Sequence, residues 1–118
     1  ALKEKLSILE EYHTAYFVIS AEELEKYSNQ QGDTEGLVNY ALSIGGINLA
    51  ATIIEKHDCV KLSFRSVGNF SVNDLASKYF SGGGHKNAAG GMSTLSIREV
   101  EQKFLGLLPN YREKIAKA

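Results

Sequence analysis

Cysteine is nearly absent: Cys59 is the only one among 118 residues. One thiol builds neither a disulfide framework nor a multi-cysteine metal site, and its scarcity suits a reducing cytoplasm. Charge of one sign is lacking too, with 13 Lys and Arg against 14 Asp and Glu and a net charge of −1. No overall positive field recruits long nucleic acid, so any contact with nucleic acid must be local. No apolar run approaches the ~20 residues of a membrane span, and the opening Ala-Leu-Lys-Glu-Lys has no signal-peptide core. A soluble, cytoplasmic domain without membrane contact is expected. Histidine occurs three times, at His13, His57 and His85, with no His-x-His or His-x-x-x-His spacing and no carboxylate-rich cluster. That excludes a dedicated metal site in the expectation. No Ser-His-Asp arrangement is readable, since Asp74 has a helix-capping role and neither Ser66 nor Ser71 is a nucleophile. Internal repeats and low-complexity tracts are missing.

What remains is an ordinary globular composition, 43% hydrophobic and 23% charged, and it predicts one domain over residues 1–118. The chain opens at Ala1, which fits a processed start and equally a piece cut from something longer. Residues 13–19 are rich in aromatic and β-branched types and read as a buried strand. Ser20 with Glu23 has capping-box spacing and starts a short helix that carries Leu24 and Tyr27 inward, ended by the polar stretch 28–32. Asp33 is the expected N-cap of a second helix, with Leu37, Tyr40, Ala41 and Ile44 at the helical spacing of one face and Gly45 and Gly46 closing it. Strands are expected at 47–55 and 60–66, joined by the polar turn 56–58 as an antiparallel hairpin. In the second strand Val60, Leu62 and Phe64 alternate with Lys61, Ser63 and Arg65, so Arg65 faces away from Phe64.

Ser71 and Asp74 pair as a cap for a helix with Val72, Leu75, Ala76 and Tyr79 on one face, stopped by the glycines at 82–84. Residues 88–95 return as a strand. Ser96 and Glu99 repeat the capping spacing before an amphipathic helix bearing Ile97, Val100, Phe104, Leu107 and Leu108, which Pro109 breaks or kinks. Residues 111–118 are a further helical turn or a frayed tail. The fold class is therefore α/β, a single compact domain with a mixed β-sheet flanked by helices.

Two features can carry chemistry. Residues 82–91 read Gly-Gly-Gly-His-Lys-Asn-Ala-Ala-Gly-Gly. Gly82, Gly83 and Gly84 remove every Cβ and permit a ligand anion to approach main-chain N–H groups. His85 adds a donor, Lys86 and Asn87 add others, and Ala88 to Gly91 keep the walls small. A glycine run after a helix serves equally as a helix stop and connector. Arg65 offers phosphate a bidentate fork, and an exposed arginine is also ordinary surface. Ser66 and Ser71 are hydroxyl donors beside it. His13 and His57 read as structural or solvated, and Phe70 and Phe80 flank the candidate site as core residues or base-stacking surfaces.

The joined pattern is more specific than its parts. Residues 62–91 contain Leu-Ser-Phe-Arg-Ser, then Phe-Ser-Val-Asn-Asp-Leu-Ala-Ser, then the glycine and histidine run. In this order and spacing they resemble the DHH-associated domain of DHH-family phosphoesterases, nanoRNase and phosphoadenosine-phosphate phosphatase type, and the flanking elements extend the resemblance over nearly the whole chain. The resemblance implies a substrate-binding role: Gly82, Gly83, Gly84 and His85 on a substrate phosphate, Arg65 on a phosphate or nucleotide, Ser66 and Asn87 completing the surface. It implies short phosphorylated substrates, namely oligoribonucleotides, 3′-phosphoadenosine 5′-phosphate or cyclic dinucleotides. It also implies a catalytic DHH domain upstream in the same polypeptide that holds manganese. The Asp-His-His motif is absent here, so neither catalytic nor metal residues are expected in this chain, which should not hydrolyse anything efficiently alone. A homodimer is compatible with this reading. The alternatives are a non-catalytic nucleotide or RNA binding module, as the related domain of alanyl-tRNA synthetases is, and an oligomerisation scaffold.

Overall fold

The computed structural model describes residues 5–30 and 34–118, the side chains of 28–30 excepted. Its centre is a sheet of six strands in the order β1-β2-β3-β4-β6-β5. β1 (Ser7–Leu9) runs antiparallel to β2 (Thr14–Ile19), and β2 runs parallel to β3 (Leu49–Glu55). The β3–β4 pair is the expected antiparallel hairpin, β4 being Val60–Ser66. β6 (Ala88–Ser93) pairs with β4 on one side and β5 (Gly83–His85) on the other, both antiparallel. The sheet is mixed because β2 and β3 are joined by a helical crossover, α1 (Ala21–Gln30) and α2 (Glu35–Ser43), whereas the later strands are joined by turns or by one short helix.

Alternating side chains divide the apolar residues between two faces. On the first face Tyr16, Leu49, Ile53, Leu62 and Phe64 meet α3 (Val72–Tyr79) and α4 (Ile97–Ala116) through Leu75, Ala76, Val100, Phe104 and Leu108. On the second face Ala15, Phe17, Ile19, Ala50 and Ile54 meet Leu37, Val38 and Ala41 of α2, with Leu24 and Tyr27 of α1 at the margin.

Local rules explain the helix starts. Ser20 Oγ accepts from the Glu23 N–H and Glu23 Oε1 accepts from the Ser20 N–H, a complete capping box, and Ser96 with Glu99 repeats it. Ser71 Oγ caps α3 through the Asp74 N–H. The expected Asp33 cap lies outside the described residues; Thr34 occupies the N-cap position of α2 without a side-chain bond.

Four expectations need correction. Tyr40 does not point inward: the buried side of α2 is centred on Leu37, Val38 and Ala41, and at 100° per residue Tyr40 lies about 100° round from that centre and is 38% exposed. Pro109 does not break the last helix, which runs from Ile97 to Ala116. Proline removes one N–H, but the burial of Leu108 before it and Ile115 after it holds both halves on the sheet. The strand expected over 47–55 begins at Leu49, with Ile47 buried beneath α2. The glycines at 82–84 do not stop a helix, and only Gly82 remains in a loop. α3 has ended at Tyr79, Ser81 turns the chain at φ 50°, and Gly83, Gly84 and His85 form an edge strand, with Lys86 and Asn87 as its turn. Glycine is required there by close packing. A Cβ on Gly82 would lie 1.9 Å from the Gly90 carbonyl oxygen, and one on Gly91 would lie 2.7 Å from Phe80 Cβ.

Candidate functional site

The ladder register assembles the site. Ala88 pairs with Arg65 of β4 on one side and with His85 of β5 on the other. Directly paired residues of an antiparallel ladder project to one face, so Arg65, Ala88 and His85 make a row across three strands. Two strand spacings put the Arg65 and His85 backbones roughly 10 Å apart, with only the Ala88 methyl between them. Phe64 and Ala89 belong to the first face, so this row lies on the second. There α2 covers β2 and β3 and reaches β4 at Arg65 through Glu35, whereas beyond it Lys61 and Met92 are exposed and Ser63, Arg65, Ala88 and Gly90 half-buried. Row and open floor together form a cationic shelf beside the wall of α2.

The two ends of the row are prepared differently. The Arg65 side chain is 19% exposed; Nη1 donates to the Phe64 carbonyl at 2.9 Å and Nη2 to Glu35 Oε1 at 2.9 Å. A guanidinium has five N–H donors, so this anchoring fixes the fork and leaves donors for an anion. His85 is exposed and makes no side-chain hydrogen bond or ion pair among the described residues. Its imidazole is a donor that the fold does not use.

Ser66 and Asn87 hold the hairpin in place. The Ser66 hydroxyl, on a residue only 4% exposed, donates to the Phe70 carbonyl at 2.6 Å and accepts from Asn87 Nδ2 at 2.9 Å. Asn87 Nδ2 also donates to the Gly68 carbonyl at 3.2 Å, and the Asn87 carbonyl accepts from the Ser66 N–H at 3.1 Å. The Lys86 carbonyl accepts from the Val72 N–H at 2.7 Å, and the Lys86 ammonium donates to Asn69 Oδ1 at 3.1 Å. The turn that precedes Ala88 is thereby tied to the start of α3. Two glycine N–H groups are also engaged: Gly82 donates to the Ala76 carbonyl at 3.1 Å and Gly84 to Asn73 Oδ1 at 2.9 Å. The glycines supply close approach more than spare donors.

Other candidates lie elsewhere. Phe70 and Phe80 are core residues, 4% and 1% exposed. His13 turns the chain at φ 51° and hydrogen-bonds the Gly46 carbonyl through Nδ1, while His57 is exposed in the β3–β4 turn. A cavity of about 440 Å³ lined by Phe70, Ser71, Tyr111, Lys114 and Lys117 opens on the α3 and α4 side, away from His85.

Residues 11–113 match the DHHA1 domain. The chain belongs to the DHHA1 domain family. This DHHA1 domain is 35% identical over 82 residues to the bifunctional oligoribonuclease and PAP phosphatase NrnA of Bacillus subtilis (strain 168), a match covering 70% of this chain and 26% of that protein. An exopolyphosphatase-related protein from Bacteroides fragilis superposes with a TM-score of 0.89 at 33% identity, over 97% of this chain and 34% of that one. The pGpG-specific phosphodiesterase PggH from Vibrio cholerae shares the fold, with a TM-score of 0.61 at 13% identity over 94% of this chain and 37% of that one. The DHHA1 domain thus spans about a quarter of the Bacillus subtilis protein and about a third of the Bacteroides fragilis one.

The family resemblance implies manganese, held by a domain other than this one. Among the described residues no three His, Cys, Asp or Glu side chains gather into a donor set. Nor is any described helix long and apolar enough to cross a membrane. Two residues of the site carry no local sequence signal. Glu35 lies 30 positions from Arg65, and no local rule pairs them. Asn73 sits in the first turn of α3, where its bond to Gly84 depends on how the hairpin docks.

Proposed function

We propose that this DHHA1 domain is the substrate-holding part of a cytoplasmic DHH-family phosphoesterase that acts on short oligoribonucleotides or 3′-phosphoadenosine 5′-phosphate. The observation that carries the reading is the row in which Arg65 and His85 flank Ala88 with no side chain larger than a methyl between them. A phosphate above Ala88 takes a bidentate pair of N–H bonds from Arg65 and one bond from the His85 imidazole. Glu35 aims the fork, Ser66 and Asn87 fix the hairpin, and Gly82, Gly83 and Gly84 let substrate approach the main chain. These groups hold and orient; the bond-breaking metal, manganese, belongs to a DHH domain upstream in the same polypeptide. Orientation lowers the barrier by turning a random encounter into a placed one, and preset donors meet the charge as it develops. The similarity to a relative named as an oligoribonuclease and PAP phosphatase supports this substrate class.

Titration with adenosine 5′-monophosphate tests the site directly. Amide resonances of residues 83–88 and the Arg65 side chain are expected to shift. Replacing His85 or Arg65 by alanine should weaken binding about tenfold or more, the size of one charge-assisted hydrogen bond. His85 is exposed, so His85→Ala should leave stability within about 0.5 kcal/mol of wild type. Absence of any shift at millimolar nucleotide overturns the assignment.

A further inference from the structure

The row of Arg65 and His85 is one of three on the bare half of the sheet. The next holds Ser63 paired with Gly90, and the one after holds Lys61 paired with Met92. All three face the same side, because they are two residues apart along β4 and β6. Read along β4, the shelf presents a guanidinium, a hydroxyl and an ammonium over a floor of Ala88 and Gly90. Resting on the reading above, we propose that Lys61 and Met92 form a second subsite, which takes a downstream nucleotide of a single-stranded oligonucleotide whose first phosphate lies between Arg65 and His85.

Several independent features support it. Lys61 is exposed and makes no hydrogen bond or ion pair among the described residues. Its partners in register are Ile54 and Met92, so no carboxylate faces it from either neighbouring strand. Of the nearby acids, Glu55 accepts the Ala21 N–H at 3.0 Å, and Asp58 lies in the hairpin turn. Met92 is 43% exposed beside Lys61, and a polarizable thioether is suited to lie against a base or ribose. Lys61 lies four residues from Arg65, roughly 13 Å along the strand. Adenosine monophosphate has no second phosphate to offer there, whereas a trinucleotide does. Cations spaced along a strand, with one adaptable thioether beside a bare backbone floor, hold a single strand by its phosphates and not by its base sequence.

The test compares pA, pApA and pApApA on the wild-type chain and on Lys61→Gln, Met92→Ala, His85→Ala and a charge control, Lys78→Gln. Lys78 is exposed on α3, which packs on the opposite face. Wild type should bind the trinucleotide at least fivefold more tightly than pA. Lys61→Gln should remove most of that gain, leave pA affinity unchanged and lower the log-affinity against log-salt slope by about 0.7, the value for one single-strand phosphate contact. Met92→Ala should cost the trinucleotide about twofold with the salt slope unchanged, and Lys78→Gln should change nothing. A length dependence that survives Lys61→Gln, or a wild type that binds pA and pApApA equally, overturns the second subsite while His85→Ala still weakens pA binding. If His85→Ala leaves pA binding intact, the underlying phosphate site fails instead, and this proposal with it.

Discussion

One face of this sheet is built in two ways. Over β2 and β3 it is packed: Phe17, Ile19 and Ile54 are closed off by Leu37, Val38 and Ala41 of α2. Over β4, β6 and β5 the same face carries Arg65, Ser63, Lys61, Ala88, Gly90 and His85, small residues between polar or cationic ones. The strands are continuous and hydrogen-bonded throughout, so the backbone alone does not set the difference. What differs is whether the side chains fill space for a helix or leave space for a ligand. The opposite face, buried under α3 and α4, keeps the open half rigid: Phe64 lies directly behind Arg65 in sequence and packs against Phe80 and Phe104.

This division predicts that changes in the packed region cost stability and changes on the shelf cost binding. The largest effect is expected at Phe104, which is fully buried with ring centroids 5.6 Å from Tyr16 and 6.1 Å from Phe64. Phe104→Ala should destabilise the domain by about 3–5 kcal/mol, a large share of the stability of a domain of this size. Urea unfolding followed by circular dichroism measures it. The fraction still folded should bind adenosine monophosphate with near wild-type affinity, and a loss of affinity in that fraction would break the comparison. Ser66 sits where the two regimes meet. Ser66→Ala removes a donor to the Phe70 carbonyl and an acceptor from Asn87, so it should cost about 1–3 kcal/mol. It should also weaken nucleotide binding a few-fold, because the turn before Ala88 loses its tie. A variant that is destabilised but binds normally would move Ser66 wholly to the packed side.

How far these features were legible depended on how local their causes are. Ser20 with Glu23 and Ser96 with Glu99 were readable because a capping box is decided within four residues. Alternation from Val60 to Arg65 placed Arg65 away from Phe64, and it placed Lys61 and Ser63 beside Arg65 as well. Glycine has no side chain to alternate, so β5 carried no strand signal and read as a loop; its pairing with β6 became visible only in the assembled sheet. Pro109 obeyed a tertiary cause, the anchoring of Leu108 and Ile115. The role of Ser66 depends on its contact with Asn87, 21 positions away, which no spacing rule anticipates. The fold was legible wherever sequence neighbours determine it, and the site only where a motif stood in for contacts across strands.

The smallest expected effect sharpens the packed side. The Tyr16 hydroxyl donates to Glu101 Oε2 at 2.8 Å, and burial first, then the Glu101 carboxylate, push its pKa up to about 12 from 10.0. The folded state therefore favours the protonated phenol. Below pH 10 the phenol is protonated in both folded and unfolded chains, and its contribution is fully present. Between pH 10 and 12 the unfolded chain ionises while the folded one resists, so that contribution falls as pH rises. Tyr16→Phe should cost about 1 kcal/mol at neutral pH through the lost bond to the half-exposed Glu101. The difference in unfolding free energy between wild type and Tyr16→Phe should then fall steadily from pH 10 to 12 and reverse sign within that window, because only wild type has this phenol to ionise. Tyr79 and Tyr111 titrate in both proteins and cancel in the difference. Nucleotide affinity at neutral pH should stay at the wild-type value, since Tyr16 faces α4 and not the shelf. A difference that is flat with pH would mean that the Tyr16 phenol ionises as readily in the folded protein as in the unfolded chain.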